Sequence, residues 1–102
     1  MNYTWFRIDV QGDLQPIVAK ARGQVAFIYA HHGEDLFVSS QREGIHGVIT
    51  LHPDGWAFDI YPPKGDWDAV PTIKAALGKD FDVINEGSHI HIEYDPKGTN
   101  HV

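Results

Sequence analysis

The spacing of apolar and polar residues changes along the chain, and each change of period marks a different element. In YTWFRIDV, Trp5, Arg7 and Asp9 alternate with Phe6, Ile8 and Val10, the period-two pattern of a short strand with one buried face, which Gly12 ends. Asp13 can cap a helix whose Pro16 falls in the first turn, where a missing N–H costs little. Leu14, Ile17, Ala21, Val25 and Ile28 then recur at helical spacing, and Gly33 closes the helix after His31 and His32.

DLFVSS reads as a second strand over 35–40, and QREGIHGVIT as a loop of about ten residues with two glycines and no period. GWAFDIY alternates strictly, placing Trp56, Phe58 and Ile60 on a core face and Ala57, Asp59 and Tyr61 on the opposite one. PPKG breaks that strand. Asp68 can cap a second helix with Val70, Ile73 and Leu77 in one stripe, Pro71 in the first turn and Gly78 as its stop. FDVIN and SHIHIEYD read as two strands joined at Glu86-Gly87, the last one putting Ile90, Ile92 and Tyr94 on one face and His89, His91 and Glu93 on the other.

Strands and helices are mixed and the hairpins short. The expected fold is therefore α+β: a mostly antiparallel sheet of about four strands with helices packed against one side. A parallel βαβ arrangement is less favoured, because the last two strands are nearly contiguous. At 102 residues the chain is expected to be a single domain spanning 1–102, with one modest core.

Composition narrows the chemistry. A net charge of −6 works against gripping nucleic acid, whose affinity comes from clustered Lys and Arg. No run of about 18 apolar residues offers a membrane span, and the N-terminus lacks a basic start followed by an apolar core, so the chain is expected to be cytoplasmic as synthesised. Without cysteine, a metal would have to use His, Asp or Glu, and the chain has seven histidines. His52, Asp59 and one of His89 or His91 would supply the three protein ligands typical of a catalytic zinc site. The turn His52-Pro53-Asp54-Gly55 suits type I geometry and holds His52 near the strand bearing Asp59.

These residues resemble a known family. HPDGWAFD resembles the H-x-x-G-x-A-x-D motif, and EGSH the E-x-x-H motif, of the D-alanyl-D-alanine metallopeptidases: cell-wall carboxypeptidases, D-Ala-D-Ala dipeptidases and phage L-alanoyl-D-glutamate endolysins. VSSQREGIH looks like the family's T-S-G-x-R type loop, and EGSHIHIEYDP like the ending of small phage-encoded members, so the likeness covers about residues 35–96. The resemblance implies a hedgehog-like fold in which His52, Asp59 and His89 bind zinc, Glu86 is the catalytic base and Arg42 holds a substrate carboxylate or carbonyl. Thr50 stands where the family usually has serine.

Were His91 the ligand, the residue three before it would be Ser88, which cannot serve as the base; His91 is therefore expected to orient substrate or support the ligands from behind. His46 shares the loop of Arg42 and is a candidate to line the site, whereas His31, His32 and His101 read as helix-end or tail residues. The implied activity is zinc-dependent hydrolysis of peptidoglycan stem peptides by a monomer that reaches the wall after release or delivery. A non-catalytic zinc module, as in the hedgehog signalling domain, is the alternative, and a metal-free acidic structural protein the third reading.

Overall fold

The computed structural model describes residues 2–7, 14–40 and 55–96. Among these residues five strands and two helices run in the order β1 (Thr4–Phe6), α1 (Pro16–His31), β2 (Leu36–Ser40), β3 (Ala57–Ile60), α2 (Ala69–Leu77), β4 (Phe81–Asn85) and β5 (Ile90–Tyr94). They form one sheet of order β1-β2-β3-β5-β4. The α+β expectation holds with two corrections. The sheet has five strands, not about four, and it is mixed: β1 pairs parallel to β2, with α1 as the crossover, while every other pair is antiparallel. A crossover of this kind needs a connection long enough to return the chain to the same end, and α1 supplies it.

Alternation sorts the sheet into two faces. Val38, Phe58, Ile60, Val83, Ile90 and Ile92 form one face and join Val18, Val25 and Tyr29 of α1 and Ala69 and Ile73 of α2 in a single core. Both helices therefore cover the same side. In α1 the buried stripe is Val18, Ala21, Val25 and Tyr29. This corrects the expected stripe, for Ile17 is 44% exposed and Ile28 half-buried. Both stripes have helical spacing; packing against the sheet selects the one turned by about one position, because it brings the large Tyr29 ring inward. The cap also differs. The helix starts from Gln15, whose N–H donates to the Gly55 carbonyl, and Asp13 lies outside the described residues.

β1 is shorter and more open than its pattern promised: Trp5 and Phe6 are both about half exposed, and Ile8, Asp9 and Val10 lie outside the described residues. β3 is buried on both faces, since it is the central strand. Phe58 and Ile60 enter the core as expected, Trp56 is half-buried, and Ala57 is fully covered on the other side. α2 keeps its expected bounds, with Asp68 at the N-cap and Gly78 at the stop, but among the described residues the Asp68 side chain makes no cap hydrogen bond, and the buried residues are Ala69 and Ile73 while Val70 and Leu77 are half-buried.

The connection from β3 to α2 is held by one side chain. The Glu34 carboxylate accepts N–H bonds from Lys64 at 2.7 Å, Gly65 at 3.1 Å and the Trp67 indole at 2.6 Å. Trp67 in turn stacks on His32 and meets Tyr29 edge-on, while the Tyr29 hydroxyl donates to the Tyr61 carbonyl at 3.0 Å. The segment leaving β3 is thus fixed in place beside the sheet.

Ile73 is fully buried between α2 and the sheet. Its truncation, Ile73→Ala, should cost about 2–5 kcal/mol through lost transfer energy and an unfilled cavity, read as a lower urea midpoint at unchanged slope.

Candidate metal centre

The face away from the helices carries the polar residues. Asp59 lies on central β3 at 9% exposure, with its neighbours set by register. Across β5 it is directly opposite His91. Across β2 the register slips by one residue, from Val38↔Ile60 to Ser40↔Asp59, so that Ser40 rather than Ser39 stands opposite the carboxylate.

An ionised carboxylate this buried must be paired. The His91 ring donates from Nδ1 to Asp59 Oδ1 at 2.8 Å and from Nε2 to Glu93 Oε1 at 2.8 Å. Burial alone would lower the His91 pKa, but the bonds to Asp59 and Glu93, with their charges, outweigh it and push the value up to about 10. His91 is therefore an imidazolium at neutral pH, its two N–H groups held by two carboxylates. Both nitrogens being taken, it is a positioning residue for Asp59.

Asp59 Oδ2 is the oxygen turned toward His89, whose Nε2 lies 3.7 Å away. Two metal–ligand bonds of about 2.0–2.2 Å span about 3.3–4.2 Å at tetrahedral or wider angles, so the gap suits one small ion between nitrogen and oxygen. Glu86 completes the cluster: one ligand atom each from Asp59, Glu86 and His89 lies within 4.8 Å of the others, and the group could hold a metal ion. The E-x-x-H spacing works here because Glu86 and His89 flank the β4–β5 turn, where the Glu86 N–H donates to the His89 carbonyl and Gly87 takes φ of 90°, a region that disfavours other residues.

Glu86 Oε1 is 2.9 Å from His89 Nε2. A carboxylate accepts only, so Nε2 carries a hydrogen. The Ser88 hydroxyl lies 3.0 Å from Nδ1. For Nε2 to become a ligand the hydrogen must sit on Nδ1, and this hydroxyl can accept it. From sequence, Ser88 enters only as a residue unable to act as the base, not as a partner of His89, and the hydrogen bond from His91 to Glu93 was not foreseen. Ser88 sits inside the E-x-x-H spacing, and Glu93 is on the polar face of β5, so alternation was the available signal for the latter.

Of the residues expected from sequence, Asp59, Glu86 and His89 are brought together and His91 supports them. His52, Thr50, Arg42 and His46 lie outside the described residues. A second carboxylate group, Asp82, Glu93 and Asp95, also clusters on this side, with Glu93 engaged by His91. Compared with family models, curated proteins and solved structures, the chain has no significant match. Among the described residues no helix is long and apolar enough to cross a membrane.

Two predictions follow from this geometry. The folded pKa of His91 lies above its unfolded value of about 6.5, so the clamp contributes its full stability below that pH and loses it as pH rises through about 10. Urea titrations of metal-free protein should show stability falling between pH 7 and 10, and His91→Gln should flatten that slope. Separately, Ser88→Ala should weaken Zn²⁺ binding by about 10- to 100-fold in a competitive chelator titration, with the circular dichroism spectrum unchanged.

Proposed function

We propose that the protein is a zinc-dependent peptidase acting on peptidoglycan stem peptides, with His52, Asp59 and His89 as ligands, Glu86 as general base and acid, and Arg42 fixing the substrate. The observation that carries this reading is the convergence of Asp59, Glu86 and His89 from two segments some thirty residues apart. Those are the segments in which the two peptidase-like motifs occur, in the same order.

The donor set suits zinc, being nitrogen and carboxylate oxygen without thiolate. Zinc supplies Lewis-acid polarisation of a carbonyl and lowers the pKa of a coordinated water to about 7. The protein's own groups do the rest. Glu86 is less buried than Asp59 and its carboxylate contacts His89 Nε2, so with His89 holding a metal that carboxylate would be placed to take a proton from the attacking water. The same carboxylate then hands the proton to the leaving amine. Asp59 cannot exchange roles with it, because Oδ1 is bound to the His91 imidazolium. One carboxylate is fixed for holding charge and the other is placed to move a proton.

Glu86→Gln keeps the side-chain shape and removes the base. It should retain one zinc per chain by metal analysis while lowering hydrolysis of purified peptidoglycan by about 10²- to 10⁴-fold, followed by mass spectrometry of the released muropeptides. Full hydrolysis by Glu86→Gln would sink the mechanism, and zinc binding without hydrolysis in the unsubstituted protein would favour the binding-module alternative.

A further inference from the structure

The register that builds the metal cluster also builds a row of rings beside it. Trp5 is opposite Phe37 in the β1–β2 pair. The Tyr61 N–H donates to the Phe37 carbonyl, which continues the Val38↔Ile60 pairing by one position. Continuing Ile60↔Ile90 in the same way places His89 opposite Tyr61. Trp5, Phe37, Tyr61 and His89 therefore occupy one cross-strand row on the helix-free side of the sheet. At strand spacing it runs about 14 Å from the edge strand to the candidate ligand.

These rings are exposed, and the Trp5 ring is held in place. Trp5, Phe37 and Tyr61 are 49%, 37% and 39% exposed. The Trp5 indole N–H is held by Asp35 at 2.9 Å, its ring is stacked on Phe37, and Tyr3 meets it edge-on. An exposed Trp normally keeps its rotamer freedom; here that freedom is already spent, which is the condition for a preorganised contact surface. A cavity of about 480 Å³ opens beside the row, lined by Phe37 and Tyr61 together with Asn2, Glu34, Asp35 and Lys64. Asp59, Glu86 and His89 do not line it, so it adjoins the metal cluster without being part of it.

We propose that this row and cavity bind the glycan strand of the wall polymer, holding the saccharide while the attached peptide reaches His89 and Glu86. The choice of polymer rests on the peptidase reading above. Apolar C–H faces of pyranose rings pack on aromatic rings, whose faces carry negative charge. Hydroxyl groups can donate to the Glu34 and Asp35 carboxylates and accept from Asn2 and the Lys64 ammonium. A neutral polyol suits this lining, whereas an acidic stem peptide would meet two carboxylates and a net charge of −6. Nucleobase stacking is disfavoured by the same charge.

The probe is a peptide-free tetramer of N-acetylglucosamine added to the metal-free, full-length protein. Saturable chemical-shift changes should appear at Phe37 and Tyr61, together with a change in tryptophan fluorescence. Trp5→Ala should weaken binding at least tenfold, and Trp5→Phe, which keeps a ring, should weaken it less. Absence of saturable shifts at Phe37 and Tyr61, or undiminished affinity in Trp5→Ala, overturns the proposal. Shifts at those residues with a soluble stem peptide but none with the tetramer overturn it in favour of a peptide surface. Because binding is read without metal, failure of hydrolysis in the Glu86 experiment leaves this result standing, and the reverse also holds.

Discussion

The pairing of Asp59 with His91 is the constraint around which the polar face is arranged. A carboxylate on the central strand, flanked on both sides by other strands, loses most of its hydration on folding, and an unpaired charge there would oppose the fold. His91 resolves this by standing directly opposite and donating to Oδ1, with Glu93 holding its other nitrogen. The acid–imidazolium–acid chain also fixes geometry. It commits one Asp59 oxygen and leaves the other facing His89.

Register explains why two histidines on one face, two residues apart, differ in role. His91, opposite Asp59, comes within hydrogen-bonding distance and is consumed as its partner. His89 stands two residues earlier, just ahead of β5 and diagonal to Asp59, where directly opposed contact is replaced by a longer separation. The resulting 3.7 Å between Nε2 and Oδ2 is too long for a hydrogen bond and suits an intervening ion. A shift of the β3–β5 pairing by two residues would exchange the histidines and leave Ser88, in place of Glu86, three residues before the metal-facing one.

Much of this was legible because alternation is local. Strict period two in AFDI and HIHIE placed Phe58, Ile60, Ile90 and Ile92 in the core and Asp59, His89 and His91 on the other face, and α2 carried its own start and stop signals between Asp68 and Gly78. What was not legible depends on pairing between distant segments. The parallel β1–β2 contact follows from α1 returning the chain, which no feature of YTWF encodes. The buried stripe of α1 was misplaced by one position because two apolar stripes overlap, and the sheet decides between them. For His89 and His91, the motif spacing favoured the one that clusters with Asp59 and Glu86, but their different bonds to Asp59 follow from register alone.

The mixed sheet also reconciles an acidic chain with a site that gathers carboxylates. Asp59 is neutralised by His91, Glu34 is bound by three N–H donors and Asp35 by Asn2, Tyr3 and Trp5, so each carboxylate also fixes a neighbour. For Glu34, burial raises the pKa, yet the bonds from Trp67, Lys64 and Gly65 hold it below the usual carboxylate range; at Asp35 the bonds from Tyr3, Trp5 and Asn2 do the same. Their negative charge is thereby spent on rigidity, of the β3–α2 connection in one case and of the exposed Trp5 ring in the other. Glu86 is the exception in the candidate centre: it contacts His89 Nε2 and stands at a turn instead of within a strand. A carboxylate that changes partners, as the proposed mechanism requires of Glu86, belongs at such a position, where its displacement breaks no sheet pairing.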